Sequence, residues 1–169
     1  MKAVSYAQAV CGVSLKQRPD VVLASAYPID IDFWQCGKAA YGPTRVIAKG
    51  GEFLLLAACT EGVGPHPQIL DYMALENGTE VLSHRIASQN TGEDLLTMAV
   101  GVSMGRVVRH SNVTLVTDGL LPEDCRRGQM SHCSPANLQQ ALQQALERFE
   151  DPFLLIIGEG GEVIPLLED

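Results

Sequence analysis

Hydrophobic positions along this chain fall into two kinds of segment that take turns. Short apolar or β-branched runs occupy residues 20–25 (around Val21-Val22-Leu23-Ala24), 52–58 (EFLLLAA), 113–117 (VTLVT) and 153–157 (FLLII). Unbroken runs of this length, bounded by turn residues, are the pattern of strands buried on both faces. Between them the apolar positions recur with helical spacing. Residues 3–12 place Ala3, Tyr6, Ala7, Val10 and Cys11 on one face. A helix is expected from about Asp30 or Asp32 through Ala39, Ala40 and Tyr41, with Gly42-Pro43 as a break or kink before Thr44–Ala48. Pro67–Glu76 is expected to be helical. Another helix should start at Thr91, Glu93 and Asp94, with Leu95, Ala99 and Val102 as its apolar face. Ser134-Pro135 has the form of a cap followed by proline at the first helical position, and Leu138, Leu142, Ala145, Leu146 and Phe149 then form a stripe.

The remaining stretches are less regular. Gly12 and Pro19 bracket a short loop, residues 77–90 fit a short strand or a helical turn, and residues 121–130 (LPEDCRRGQM) a loop or one turn. Gly158-Glu159-Gly160-Gly161 is expected to return the chain as a hairpin or edge extension through Val163-Ile164-Pro165. Strand and helix in alternation predict an α/β fold: three layers, a mostly parallel sheet with right-handed crossovers and helices on both faces, Rossmann-like. Without a repeat, a low-complexity tract or a linker, residues 1–169 form a single domain.

Composition narrows the function classes. The net charge is −8, from 12 basic and 20 acidic residues. There is no basic stripe to neutralise phosphates, so nucleic-acid binding is not expected. No apolar run is long enough to span a bilayer, and polar residues interrupt the N-terminal segment, so neither a membrane span nor a signal peptide is expected. Five cysteines (11, 36, 59, 125, 133) form no CxxC pair and no even framework, which points to reduced thiols and a cytoplasmic protein. Cys125, His132 and Cys133 lie close together but match no zinc spacing, so no metal site is expected.

The chemistry concentrates in Asp20 to Lys38, DVVLASAYPIDIDFWQCGK. A strand that ends in a polar turn and feeds a helix is where open α/β sheets bind ligands. Trp34, Gln35 and Lys38 stand three and four residues apart, so they can face the same way beside a helix N-terminus. A cation, an amide and an aromatic ring there suit a small carboxylate. Cys59-Thr60-Glu61-Gly62-Val63-Gly64-Pro65-His66 leaves the second strand at the same edge. Its glycines Gly62 and Gly64 could present backbone N–H groups to an anion. It lacks the Lys-Ser/Thr of a P-loop, which weighs against a nucleotide. Tyr27, Glu61 and His66 are further candidate contacts, the last two acid–base candidates by type.

The pattern Ser25-x-Tyr27-Pro28-x-Asp30-Ile31-Asp32-Phe33-Trp34-Gln35-x-x-Lys38 resembles the C-terminal domain of the nickel-dependent lactate racemase family, whose members use a nickel-pincer nucleotide cofactor. The strand exit Cys59–Gly64 and the Leu115–Leu121 strand with its Pro-Glu turn are similar as well. The resemblance implies that Gln35 and Lys38 match the family's substrate-binding glutamine and lysine, with Trp34 at the aromatic position before them. Lactate racemases usually carry tyrosine there, so the resemblance implies a 2-hydroxy acid without singling out lactate. It further implies that an N-terminal domain, in the same protein or supplied by a split gene, holds the nickel-pincer nucleotide and the catalytic histidines. No catalytic residue and no bound cofactor are therefore expected in this chain alone. Freed of that partner, the interface would expose an apolar patch able to drive a homodimer. The expected role is that of a substrate-binding lid of a racemase or epimerase. The rival readings are a stand-alone carboxylate-binding module that performs no chemistry and a self-contained enzyme using Glu61 or His66 as base.

Overall fold

The computed structural model describes residues 2–89, 92 and 94–168. The four apolar runs form strands Val21–Ser25 (β2), Glu52–Leu56 (β3), Asn112–Val116 (β4) and Leu154–Ile157 (β6). Ser131–Cys133 adds a fifth strand, β5, and the sheet order is β5-β4-β3-β2-β6, all neighbours parallel. Period-2 alternation then sorts the side chains. Val22, Ala24, Phe53 and Leu55 enter the larger core, and Val21 and Leu54 a second, smaller one. Both faces are covered over the central strands β2 and β3, which are apolar on both sides. The expected three-layer α/β architecture is therefore present.

One face carries Phe33–Cys36 (α2), Lys38–Val46 (α3), Ile69–Met73 (α4) and Leu95–His110 (α6). The opposite face carries Leu138–Leu146 (α8), whose predicted stripe packs where expected: Leu138, Leu142 and Leu146 lie with Phe149 against Val21, Leu54 and Val116. Residues 78–87 resolve as helix (Gly78–Ala87, α5), and Pro122–Arg127 is also helical (α7). The predicted start of α6 at Thr91 and Glu93 lies outside the described residues.

Several expectations are corrected. The helix after Asp32 breaks at Gly37 rather than at Gly42-Pro43, and Pro43 sits buried inside α3. Gly42 is there for contact: a Cβ would stand 3.2 Å from both Pro165 Cδ and the Val163 carbonyl. The buried face of α6 is Met98, Gly101, Val102 and Gly105, with Leu95 and Ala99 only half-buried. A Cβ on Gly101 would lie 2.5 Å from Tyr72 Cβ, and one on Gly105 2.6 Å from the Met73 carbonyl. Two glycines thus let α4 lie directly on α6, a contact that hydrophobicity alone does not signal.

The loop expected after Gly12 contains strand Gly12–Leu15 (β1), and the expected hairpin does not form. Ile164–Leu167 (β7) pairs in parallel with β1 in a separate two-stranded sheet. The Gly158–Gly161 turn docks instead of doubling back. Gly160 N–H donates to the Ser25 carbonyl at 2.8 Å, and a Cβ there would meet Ala39, so the chain is led across to α3. The first helix, Lys2–Cys11 (α1), buries no residue and leaves Val4, Tyr6 and Val10 exposed. Among the described residues no helix is long and apolar enough to cross a membrane.

Candidate functional site

Strands β2 and β3 end side by side, and their exit loops are laced together by main-chain hydrogen bonds. Cys59 N–H donates to the Asp30 carbonyl at 2.7 Å and Glu61 N–H to the Ile31 carbonyl at 2.9 Å. In return Phe33 N–H reaches the Gly62 carbonyl at 3.0 Å, and Trp34 N–H reaches that of Val63 at 3.2 Å. The Asp30 carboxylate accepts from Ala58 N–H at 3.1 Å, and Asp32 caps α2 by accepting from Gln35 N–H at 2.7 Å. Gly64 (φ +91°) and Gly62 (φ +66°) supply the left-handed turns this lacing needs. Gly64 also leaves room for Asp32, whose carboxylate oxygen would be 2.9 Å from any added Cβ.

That lacing corrects two expectations about anions. The N–H groups of Phe33, Trp34 and Gln35 at the start of α2 are already bonded within the protein, so this four-residue helix offers no open N-terminus. Three N–H groups of the glycine-rich loop, those of Cys59, Glu61 and Gly62, are likewise taken, the last by the Cys59 carbonyl at 2.8 Å. Gly64 N–H is not among these bonded groups, so the loop keeps a main-chain donor of its own.

Of the three expected to face one way, Gln35 and Lys38 meet, while Trp34 packs against His66. Lys38 Nζ donates to Gln35 Oε1 at 2.5 Å, with Lys38 exposed and Gln35 half-buried. Trp34 and His66, from the two laced loops, pack their rings with centroids 4.5 Å apart at 54°. Tyr27 and Glu61 are exposed on the same loops, Tyr27 following a turn in which its N–H meets Ser25 Oγ at 3.2 Å. The structure thus groups Gln35 with Lys38 and Trp34 with His66. It gives Tyr27 and Glu61 no bond that orients their side chains toward either pair.

The same sheet edge holds a cleft of about 400 Å³ lined by Ser25, Asp30, Ala58 and Asp118 over Leu56, Val116 and Leu138. The sequence reading passed over it. The available signal was a carboxylate in the exit of each of two predicted strands, Asp118 directly after residues 113–117 and Asp30 five residues after 20–25. Ser134, read as the cap of the following helix, makes no cap bond. Its hydroxyl donates to Asp118 Oδ1 at 2.9 Å, which ties the start of α8 to the β4 exit.

Metal binding finds no support in the donor geometry. Among the described residues no three His, Cys, Asp or Glu side chains converge in a way that could hold an ion. Cys125 is buried under α7, while His132 Nε2 contacts the Thr117 carbonyl at 3.0 Å and Cys133 donates to the Ser134 carbonyl. Burial pushes the Cys125 thiol up to about 11, with Asp124 adding to the effect. An unfolded thiol ionises near pH 9, so between about pH 9 and 11 the folded chain keeps a proton the unfolded chain has lost. Stability should therefore fall as pH rises through that window. Urea midpoints across it should drop less for Cys125→Ala than for the unchanged protein; parallel curves would reject this origin.

Comparison with known proteins adds the family. Residues 15–164 match the family described as lactate racemase C-terminal domain. The chain belongs to that family. Among solved structures, the lactate racemase apoprotein from Thermoanaerobacterium thermosaccharolyticum superposes with a TM-score of 0.75 at 20% identity. A Thermotoga maritima protein superposes with a TM-score of 0.61 at 16% identity. The first match covers 98% of this chain and 39% of the racemase, the second 99% and 41%, so this domain spans about two-fifths of either neighbour. At these identities the likeness is one of fold. No curated protein matches the sequence significantly. In this lactate racemase C-terminal domain, Gln35 and Lys38 lie beyond the end of β2.

Proposed function

We propose that this domain is the substrate-binding, cleft-closing part of a 2-hydroxy acid racemase or epimerase. It acts with an N-terminal domain, of the same protein or encoded separately, that carries the nickel-pincer nucleotide and the groups that move protons. The observation that carries the reading is the Lys38–Gln35 pair, 2.5 Å apart, on the segment that also bears Trp34 with its ring against His66. One Lys38 N–H is directed at Gln35, leaving two for a carboxylate, and the Gln35 amide still has its N–H₂ to offer the substrate hydroxyl or carboxylate. An aromatic wall beside such a clamp would shield the bound acid from water and accept a short side chain. Trp34, larger than tyrosine and without its hydroxyl, would shape that part of the pocket.

Every role assigned to this chain is binding, orientation and exclusion of water. Among the described residues no three His, Cys, Asp or Glu side chains converge on one point, and the redox and proton-transfer chemistry would lie with the partner domain. The test is racemisation of enantiopure 2-hydroxy acids followed by chiral chromatography. The isolated domain should leave them unchanged, and adding a cofactor-loaded N-terminal domain should start turnover. Turnover by the isolated domain that is lost on replacing Glu61 and His66 would overturn the proposal in favour of a self-contained enzyme.

A further inference from the structure

Two thiols that the proposed function does not use meet beneath the laced loops. Cys36, the last residue of α2, and Cys59, three residues beyond β3, are both fully buried, and their sulfurs lie 4.0 Å apart. They are 23 residues apart in sequence yet anchored to the same turn. Cys59 N–H donates to the Asp30 carbonyl and Cys36 N–H to that of Asp32. We propose that Cys36 and Cys59 are a modification site, a thiol pair that a peroxide converts to a reversible disulfide.

The geometry favours this pair over the other cysteines. A disulfide needs its sulfurs about 2.05 Å apart, so the gap must close by roughly 2 Å. The main chain at both cysteines is hydrogen-bonded, so rotation of the two side chains about Cα–Cβ is the motion available to close it. The two thiols also differ in readiness. The hydrogen bond it shares with Cys36, together with one from Thr117, holds the Cys59 thiol below its ordinary range against the opposing effect of burial. Its contact with Cys59, and then burial, pushes Cys36 well above. Cys59 is thus the thiolate that reacts first, and Cys36 the thiol that resolves the product.

The step balances with hydrogen peroxide as oxidant, a molecule small enough to enter by local opening of the loop. The Cys59 thiolate attacks one peroxide oxygen, the O–O bond breaks, and the departing hydroxide takes a proton to leave as water. Cys36 sulfur then attacks the Cys59 sulfenic sulfur and loses its thiol proton, and the second oxygen leaves as water. Two thiols and one peroxide give one disulfide and two waters. The link would tie the β3 exit loop to the helix bearing Trp34 and Gln35. It stands whatever substrate those residues bind.

The test is to treat the folded 169-residue chain with a few equivalents of hydrogen peroxide, alkylate it under denaturing conditions, digest it and map the peptides by mass spectrometry. The expected product is one intramolecular Cys36–Cys59 link, lighter by two hydrogens and lost on adding dithiothreitol. Oxidation confined to the partly exposed Cys11 and Cys133, or a link through Cys125, would overturn the assignment. In Cys36→Ser the same treatment should leave Cys59 as a sulfenic acid trapped by dimedone. If that variant does not fold, the map of the unchanged protein decides alone.

Discussion

Replacing Gly119 with alanine is expected to lower the melting temperature of this domain by on the order of 6–12 °C. Gly119 follows β4 and lies under the β3 exit. An added Cβ would stand 2.1 Å from the Cys59 carbonyl oxygen and 2.3 Å from that of Ala58. Both neighbours are backbone, so neither can rotate away as a side chain would. The loop must lift, and with it go the bonds from Thr117 Oγ1 to the Ala58 carbonyl (3.1 Å) and from Gly119 N–H to Thr117 Oγ1 (3.0 Å). Overpacking against rigid atoms costs about 1–3 kcal/mol, and the lost bonds bring the total to the upper end or beyond. Gly62→Ala is the control. Its Cβ would find nothing nearer than 3.9 Å, so only the left-handed φ opposes it, at about 1–2 kcal/mol. Thermal unfolding of both variants decides the matter. A Gly119→Ala protein that melts with or above Gly62→Ala would show that the two loops are not locked together at this point.

Replacing Lys38 with alanine is expected to weaken binding of a 2-hydroxy acid by roughly 10- to 150-fold while leaving the fold intact. Hydrogen bonds from a charged donor contribute about 1.5–3 kcal/mol, which sets that range. Stability should move by less than about 0.5 kcal/mol, because Lys38 is exposed and its bond within the protein is to another surface side chain, Gln35. Gln35→Ala removes a neutral amide and should cost about 2- to 10-fold. The ordering is the informative part. The lacing hydrogen bonds and Asp32 have taken the amides at the start of α2, so that helix start offers no substitute for the ammonium. Titration calorimetry with a 2-hydroxy acid, on the complex with a cofactor-bearing domain, compares the three proteins. Equal affinity for the Lys38→Ala and unchanged proteins would remove Lys38 from the site.

Where the sequence misled, the cause was a contact between distant parts of the chain. The buried face of α6 was sought among Leu95, Ala99 and Val102, because periodicity scores side chains by hydrophobicity. The face is built around Gly101 and Gly105, which are valuable for the side chain they lack. A hairpin was expected at Gly158–Gly161 because turn residues followed by an apolar stretch fit one. Docking of Gly160 on Ser25 and parallel pairing of β7 with β1 overrode that local preference. Ser134 matched an N-cap in sequence, but Asp118 across the sheet edge claimed its hydroxyl.

The alternation of the four apolar strands with helices, the two-sided burial of the central strands and the α8 stripe were determined by the sequence alone. They follow from the spacing of apolar residues, which acts within a few residues of chain. So does the meeting of Gln35 with Lys38, because a separation of three places them together on any helical turn. Tertiary structure decided which hydrogen-bonding groups remain for a ligand. The glycine-rich loop and the start of α2 both looked like anion sites in isolation, and each satisfies the other's main chain once β2 and β3 lie side by side. It also brought Cys36 within 4.0 Å of Cys59, across 23 residues. The physical reason is the same in both cases. A backbone amide or a thiol has one partner at a time, and only the packed fold determines which group reaches it first.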